Sequence, residues 1–168
     1  MPGVIRHALA IAVLPMTVTI LVPIWLTRRW PTDGGAFPDS FLESLSVAAG
    51  LVFLGLGAGL FAACLRRFAG EGDGTLAPWD PPRVLVVRGP YRYVRNPMIT
   101  GVIAVLLGEA LVLRSLPLCA WALAFTALNL VYIPLVEEPD LERRFGDSYR
   151  RYCEHVPRIV PRSTPWSG

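Results

Sequence analysis

Lysine does not occur in this chain of 168 residues, so arginine supplies every side chain that is always positively charged. Charged residues of both signs make up only 17% of the sequence, whereas a soluble domain carries about 25%. Hydrophobic residues reach 53%, and the mean hydropathy is +0.46. A composition so apolar excludes an intrinsically disordered chain and predicts that lipid, rather than water, surrounds much of the protein.

Cysteine and histidine are also scarce. Cys64, Cys119 and Cys153 lie far apart and form no C-x-x-C pair, so we expect neither a disulfide framework nor a metal site. The net charge of +3 is too small to indicate nucleic-acid binding. With a metal and nucleic acid not expected, membrane lipids and small molecules that partition into them are the expected partners.

Four apolar runs organise the chain, at about residues 8–26, 45–65, 98–113 and 117–136. The first carries no charged residue and is longer than the apolar core of a signal peptide, so we expect it to be a retained helix. A hydrocarbon core about 30 Å thick is spanned by about 20 apolar residues in helical form. The sequence therefore predicts an all-α, polytopic membrane bundle of four transmembrane helices.

Arginine is unevenly distributed between the loops. Four spans would put residues 66–97 and 137–168 on one side, and these two segments hold most of the arginines. Only Arg28, Arg29 and Arg114 fall on the other side. The positive-inside rule then places both termini and both segments in the cytoplasm. We expect a single multi-pass domain in a bacterial cytoplasmic membrane, with its chemistry on the cytoplasmic face.

Three features predict contacts within the membrane. Gly55 and Gly59 match the G-x-x-x-G pattern through which transmembrane helices approach closely, although glycine is common throughout this sequence. The short connection at residues 114–116 predicts a tight antiparallel hairpin of the third and fourth spans. Glu109 interrupts the third span, and an acid in that place is a functional hypothesis by default. Glu109 could contact a substrate amine, bond Asn129 or Arg114, or reach outward near the outer leaflet. We favour structural pairing, because Arg114 is only five residues away.

An acidic pair follows the fourth apolar run. Glu137 and Glu138 stand at the predicted cytoplasmic end of that helix. Anionic lipid and the carboxyl end of a helix both disfavour negative charge there. The placement suggests a cationic partner, which is either Arg92 or Arg95 across the site or a cationic ligand. The alternative is that the two carboxylates are solvated at the end of a helix.

Beyond the acidic pair, apolar residues recur at helical spacing and arginines take the flanks. This pattern predicts an amphipathic helix on the cytoplasmic face. We expect Gly146 to break the helix and Asp147 to cap its second half. The apolar positions are Leu141, Phe145, Tyr149, Tyr152 and Val156.

Two of the hydrophilic stretches carry motifs. Residues 89–98 read GPYRYVRNPM, and residues 137–157 read EEPDLERRFGDSYRRYCEHVP. The first resembles the G-x-Y-x-x-x-R-[HN]-P motif of the isoprenylcysteine carboxyl methyltransferase and phospholipid N-methyltransferase group of integral membrane enzymes. The second is similar to that group's E-E-x-x-L…F-G-x-x-Y-x-x-Y…V-P motif. The two occur in the expected order around a helical hairpin, so the resemblance extends from Pro82 to Pro157.

The resemblance implies a cytoplasmic site for S-adenosylmethionine that is built without a Rossmann domain. Glu137 and Glu138 suit the ammonium group of this cofactor. Arg95 can either orient an acceptor carboxylate or bind the cofactor carboxylate in a bidentate fork, and the sequence leaves both open. Ile99 stands where the group usually has tyrosine, so a hydroxyl contact is lost. The resemblance assigns catalysis to Arg95 and Glu138, and cofactor binding to Tyr91, Arg95, Asn96, Pro97, Glu137 and Glu138.

We therefore expect a methyltransferase that uses S-adenosylmethionine and acts on a lipophilic acceptor. An isoprenylcysteine-type carboxylate, a lipid amine and a thiol all remain open as acceptors. A sterol-type reductase fragment that binds NADPH is the closest enzymatic alternative, because its C-terminal part has a similar R-[HN]-P motif. Such reductases have more spans than this chain. A non-catalytic membrane assembly protein is the other alternative, and Ile99 favours it.

Overall fold

The computed structural model describes residues 14–31, 38–71, 85 and 87–167. Within these ranges the chain forms helices and loops and no strand, which confirms the all-α class. Short 3₁₀ and π-helical stretches accompany the α-helices at Gly89–Arg92, Thr17–Leu21 and Ile133–Glu137. The α-helices are α1 (Val22–Arg29), α2 (Phe41–Glu71), α3 (Pro97–Val112), α4 (Leu116–Tyr132), α5 (Glu138–Phe145) and α6 (Asp147–His155).

Among the described residues, two helical runs are long and apolar enough to cross a membrane, and the four spans that the sequence predicts are not confirmed. They are Phe41–Arg67, with 27 residues, and Leu116–Phe145, with 30 residues. Helix α3 is apolar but has only 16 residues, too few to span about 30 Å at 1.5 Å per residue. The first predicted run begins at residue 8, and its residues before 14 lie outside the described part of the chain. From Thr17 the rest of the run is helical, and the helix continues to Arg29.

The two long runs expose most of their apolar side chains. Only 17% of the most apolar 18-residue window of each run is buried, whereas the core helix of a soluble protein is mostly buried. Leu56 on α2 and Leu128 on α4 are 67% and 64% exposed. Surfaces of this kind are stable where lipid surrounds them.

Helix α4 does not end where the sequence predicts. Pro134 lacks the N–H that an α-helix requires and would clash with the preceding turn. The backbone accommodates it by a π-helical turn over Ile133–Glu137, in which the amide of Glu138 donates to the carbonyl of Ile133. The helix then continues as α5, so the expectation that Glu137 and Glu138 occupy a helix end is wrong.

Helices α2 and α3 pack backbone to backbone through four glycines. A Cβ atom on Gly57 would lie 2.6 Å from the carbonyl oxygen of Gly101, and one on Gly50 would lie 2.8 Å from that of Gly108. The pairing runs in opposite directions along the two helices, so they are antiparallel. No atom of the described residues lies within 4 Å of the corresponding positions on Gly55 and Gly59, so this part of the chain does not make the predicted G-x-x-x-G contact.

Helices α3 and α4 form the predicted hairpin. Arg114 adopts a φ of 49° between them, and the hydroxyl of Ser115 accepts a hydrogen bond from the amide of Leu118 at the start of α4. Arg114 forms its ion pair with Glu43 on α2. The ion pairs of the described residues include none between Glu109 and Arg114, so the predicted pairing is not found there, and Oε2 of Glu109 is buried without a hydrogen-bond partner among these residues.

The chain after α4 folds back and, together with Leu85 and Val87, makes a hydrophobic core of its own. Gly146, with a φ of 57°, separates α5 from α6, as the sequence predicts. Asp147 does not cap α6 and instead pairs with Arg150. The buried residues are Tyr149, Tyr152 and Val156, and they pack against Leu85, Val87, Leu141, Phe145, Cys153 and Trp166. The apolar face of the amphipathic helix therefore covers protein.

Candidate functional site

The two motif stretches meet beside the first turn of α3. Pro97 is buried and is the first residue of that helix, a position where its missing N–H costs nothing. It brings the preceding loop against the start of α5. The charged groups of both stretches converge at Glu138, the first residue of α5.

Glu138 accepts hydrogen bonds from Arg158 and forms an ion pair with Arg95. Its Oε1 lies 2.7 Å from Nε of Arg158 and 2.9 Å from Nη1 of Arg95, and its Oε2 lies 2.8 Å from Nη2 of Arg158. The contact with Arg158 is the bidentate arrangement that makes arginine–carboxylate pairs strong. The hydrogen bond from Arg158 to Glu138 raises the pKa of Arg158, so this guanidinium stays charged.

Arg95 is the least exposed member of this cluster. Its side chain is 12% exposed, compared with 17% for Glu138 and 34% for Arg158. Nη1 of Arg95 also lies 2.8 Å from Sγ of Cys153 on α6. Its Nε is buried and has no hydrogen-bond partner among the described residues. A buried donor of this kind is costly, which makes it a point where a ligand group can bind.

Tyr91 belongs to the first motif and Glu137 to the second. The hydroxyl of Tyr91 interacts with the Cys64 thiol of α2, and the charge of Glu137 acts on it. Burial, with the nearby Cys64, raises the pKa of Tyr91, so its phenol stays protonated and can donate to an acceptor. Within the described part of the chain, no arginine forms an ion pair with Glu137.

The C-terminal tail, residues 156–167, is hydrogen-bonded through its backbone to the loop before α3 and to the first turn of α3. The amide of Arg95 donates to the carbonyl of Pro157 at 2.8 Å, and the amide of Asn96 donates to that of Arg158 at 3.2 Å. The side chain of Asn96 donates to the same Arg158 carbonyl, and the Thr100 hydroxyl donates to the carbonyl of Ile159 at 2.9 Å. The tail is thereby fixed along the loop that carries the first motif.

The structure brings the predicted residues together in two groups. Arg95 contacts Glu138 directly, and Asn96 contacts the backbone of Arg158, which binds Glu138. The charge of Glu137 contributes to the raised pKa of Tyr91. The interpretation that the acidic pair has an arginine partner is confirmed for Glu138 with Arg95, whereas Arg92 instead donates to the backbone carbonyl of Trp166.

Sequence reasoning missed Arg158. The signal available for it was its position directly after Val156–Pro157, the end of the second motif. A cavity of about 490 Å³ next to Trp166 was also not anticipated, and none of the predicted site residues lines it. Its charged lining residues are Arg88, Arg92 and Arg151.

The sequence model of the phospholipid methyltransferase family matches residues 45–148, more than half of the chain. The chain belongs to this family. The match confirms the resemblance and contains the first motif and both glutamates of the second, whereas Arg158 and the tail lie beyond it. No curated protein and no solved structure matches the sequence. Membership places the protein among membrane methyltransferases of lipid-type substrates, in agreement with its two long apolar helices.

Proposed function

We propose that this phospholipid methyltransferase family member transfers a methyl group from S-adenosylmethionine to an acceptor that partitions into the membrane. The observation that carries the proposal is the convergence of the two motif stretches on Glu138, where Arg95 lies 2.9 Å away. Residues separated in the sequence by a helical hairpin thus form one charged cluster. The acceptor classes are a lipid amine, an isoprenylcysteine-type carboxylate and a thiol.

The residues present fit this cofactor. Its amino-acid end carries an ammonium and a carboxylate, which call for an acid and a guanidinium held close together. Glu138 and Arg95 supply these groups, and the unpartnered Nε of Arg95 offers a further donor. When bound, S-adenosylmethionine supplies an electrophilic methyl group carried by a sulfonium.

The chain's own residues bind and orient in this proposal. Glu137 and Glu138 attract the positively charged end of the cofactor, and Arg95 binds a carboxylate of the cofactor or of the acceptor. Tyr91 supplies a phenol that stays protonated beside Glu137. Asn96 and Pro97 hold the loop at the start of α3, so that the charged groups keep their positions. A site low in water strengthens each of these contacts.

The exposed apolar helices support a lipophilic acceptor. The site lies directly beside the first turn of α3, and α3 packs against α2, whose outer face is apolar. An acceptor dissolved in the bilayer can therefore approach from the side without crossing water. The arginine-rich segments around the site support a cytoplasmic location for it, with both termini on that side.

Labelled methyl transfer tests the proposal. Purified protein in detergent is mixed with S-adenosylmethionine carrying a labelled methyl group and with a fractionated lipid extract. We expect label in one lipid fraction, and the chemistry of that fraction identifies the acceptor class. We expect Arg95→Lys to lose most of this turnover, because an ammonium cannot replace the planar fork.

A binding measurement separates the proposal from its alternatives. S-adenosylhomocysteine should raise the unfolding temperature, since a ligand that binds only the folded state stabilises it. A rise with NADPH alone would instead indicate a reductase. No rise with either ligand, together with no transfer of label, would indicate a non-catalytic assembly protein.

A further inference from the structure

The ion pair between Glu138 and Arg158 has a role that follows if the proposed function is correct. We propose that this pair is the receptor for the amino-acid end of S-adenosylmethionine. On binding, the pair opens, the Arg158 guanidinium binds the cofactor's carboxylate, and Glu138 binds its ammonium. Arg158 is then a binding residue of the site, although it lies outside the segment that matches the family.

Arginine nitrogens occupy both oxygens of Glu138 in the structure. The two oxygens face three guanidinium nitrogens at 2.7, 2.8 and 2.9 Å, two of them on Arg158 and one on Arg95. Arg158 spans both oxygens, so an ammonium that binds there in addition would be the third cation on a single partly buried carboxylate, and the repulsion between these cations is costly. Binding of a cationic group at Glu138 therefore favours the withdrawal of one arginine.

Arg158 is the arginine that can withdraw. Its side chain is 34% exposed, whereas that of Arg95 is 12% exposed and also contacts the thiol of Cys153. Moving the more exposed guanidinium changes its hydration less. Arg158 also lies on the tail, whereas Arg95 precedes the buried Pro97 at the start of α3.

The tail does not have to detach for this exchange. The carbonyls of Pro157, Arg158 and Ile159 all accept hydrogen bonds from the loop and the first turn of α3. These bonds fix the backbone on both sides of the Arg158 side chain. The guanidinium can therefore turn from Glu138 to a ligand carboxylate by side-chain rotation alone.

The exchange conserves charge pairing. A zwitterion inserted into an ion pair replaces one pair by two, so that no charged group is left without a counter-ion. A ligand that carries an ammonium but no carboxylate would leave Arg158 without its partner, and an unpaired charge at a partly buried site is costly. The pair therefore selects ligands that have both charges at the amino-acid end.

Binding of three compounds to the full chain in detergent tests the proposal by calorimetry. S-adenosylhomocysteine has both charges, decarboxylated S-adenosylmethionine lacks the carboxylate, and 5′-methylthioadenosine lacks the whole amino-acid end. The variants are Arg158→Gln and, as a matched control on the same tail, Arg162→Gln. Arg162 donates to the carbonyl of His155 and to Thr164, and it does not contact Glu138.

We expect Arg158→Gln to weaken S-adenosylhomocysteine binding by about tenfold to a hundredfold, the loss of one charged hydrogen-bonded contact. The variant should leave binding of 5′-methylthioadenosine unchanged, and Arg162→Gln should alter neither. Unchanged affinity of Arg158→Gln for S-adenosylhomocysteine, or an equal loss for both compounds, would overturn the role of Arg158. The proposed function would stand in either case, because the wild-type protein still binds S-adenosylhomocysteine.

Wild-type protein alone provides a second test, which holds if Arg158→Gln does not fold. S-adenosylhomocysteine should bind at least about tenfold more tightly than either truncated compound. Equal affinities for the three would overturn the inference and leave the methyltransferase proposal intact. No binding of S-adenosylhomocysteine to the wild-type protein would contradict the proposed function itself.

Discussion

Two regions of the protein are held together by different interactions. One is the interface where α2 packs against α3, called the seam here, and the other is the charged cluster around Glu138 beside the first turn of α3. In the seam, Gly50 and Gly57 bring backbone against backbone, and the atoms nearest to them are backbone atoms and valine side chains of α3. In the cluster, Glu138 holds two guanidiniums at hydrogen-bond distance. The seam depends on volume, because any added atom meets a carbonyl. The cluster depends on charge, because each partly buried ion needs its partner.

The two regions also serve different purposes: the seam stabilises the helix packing, and the charged cluster serves the proposed chemistry. Apolar association in lipid relies on close contact of small residues, since lipid tails are as apolar as leucine. The charged cluster costs desolvation and is retained where its charges have a use. The two regions should therefore respond to different substitutions.

Removing the carboxylate at the centre of the cluster should have the largest effect. Glu138→Ala leaves the guanidiniums of Arg95 and Arg158 without their counter-ion, and breaking a buried pair costs about 3–5 kcal/mol. We expect the lower end of this range, because Arg158 is 34% exposed. The free energy of unfolding in detergent measures the loss, and labelled methyl transfer should be abolished.

Asp140→Ala is the control for this change. Asp140 also lies on α5 and, within the part of the chain that the structure describes, pairs with Arg143 and Arg144 at a side-chain exposure of 50%. Exposed pairs contribute little to stability, so this variant should unfold as the wild type does. Equal behaviour of the two variants would show that the cluster at Glu138 is no more than a surface network.

Filling the seam should have the next largest effect. A side chain on Gly57 meets the backbone of Gly101, which cannot move aside as a side chain would. Gly57→Leu should therefore destabilise by about 1–3 kcal/mol through overpacking. Unfolding in a denaturing detergent measures the change. Gly59→Leu, which adds the same side chain to the same helix where nothing lies within 4 Å, should not destabilise.

Removing a hydrogen bond between the tail and α3 should have a smaller effect on stability. Thr100→Val removes the hydroxyl that donates to the carbonyl of Ile159 at 2.9 Å, a loss of about 1 kcal/mol. Thr126→Val is the matched control, because the Thr126 hydroxyl bonds only to Ala122 within its own helix. We expect Thr100→Val, and not Thr126→Val, to increase proteolysis of the tail. Equal proteolysis of the two variants would argue against the tail contact.

The smallest expected effect is an increase in stability, at a glycine of α2 that does not face α3. Gly55→Ala adds a methyl group that meets nothing within 4 Å. Alanine is favoured over glycine in a helix by up to about 1 kcal/mol, so the variant should be slightly more stable than the wild type. A destabilised Gly55→Ala protein would mean that a further contact covers this face, as in an oligomer.

Sequence alone determined the helical class, the α3–α4 hairpin and the motif residues. Long apolar runs have few alternatives to a helix in lipid, since every backbone group must be satisfied within the segment. Pro97 marks the start of α3 because proline suits the first position of a helix. The pairing of Arg95 with Glu138 was also predictable, since both positions belong to motifs that resemble one family.

The sequence does not distinguish between residues of the same type, and the folded structure determines which of them are in contact. Gly57, and not Gly55, faces α3 because helix phase and the neighbouring backbone select the contact. Arg114 pairs with Glu43, distant in sequence, instead of the nearby Glu109. Arg158 reaches Glu138 because the tail folds back along α3. Charge attraction and close packing depend on distance in space, and the folded chain sets that distance.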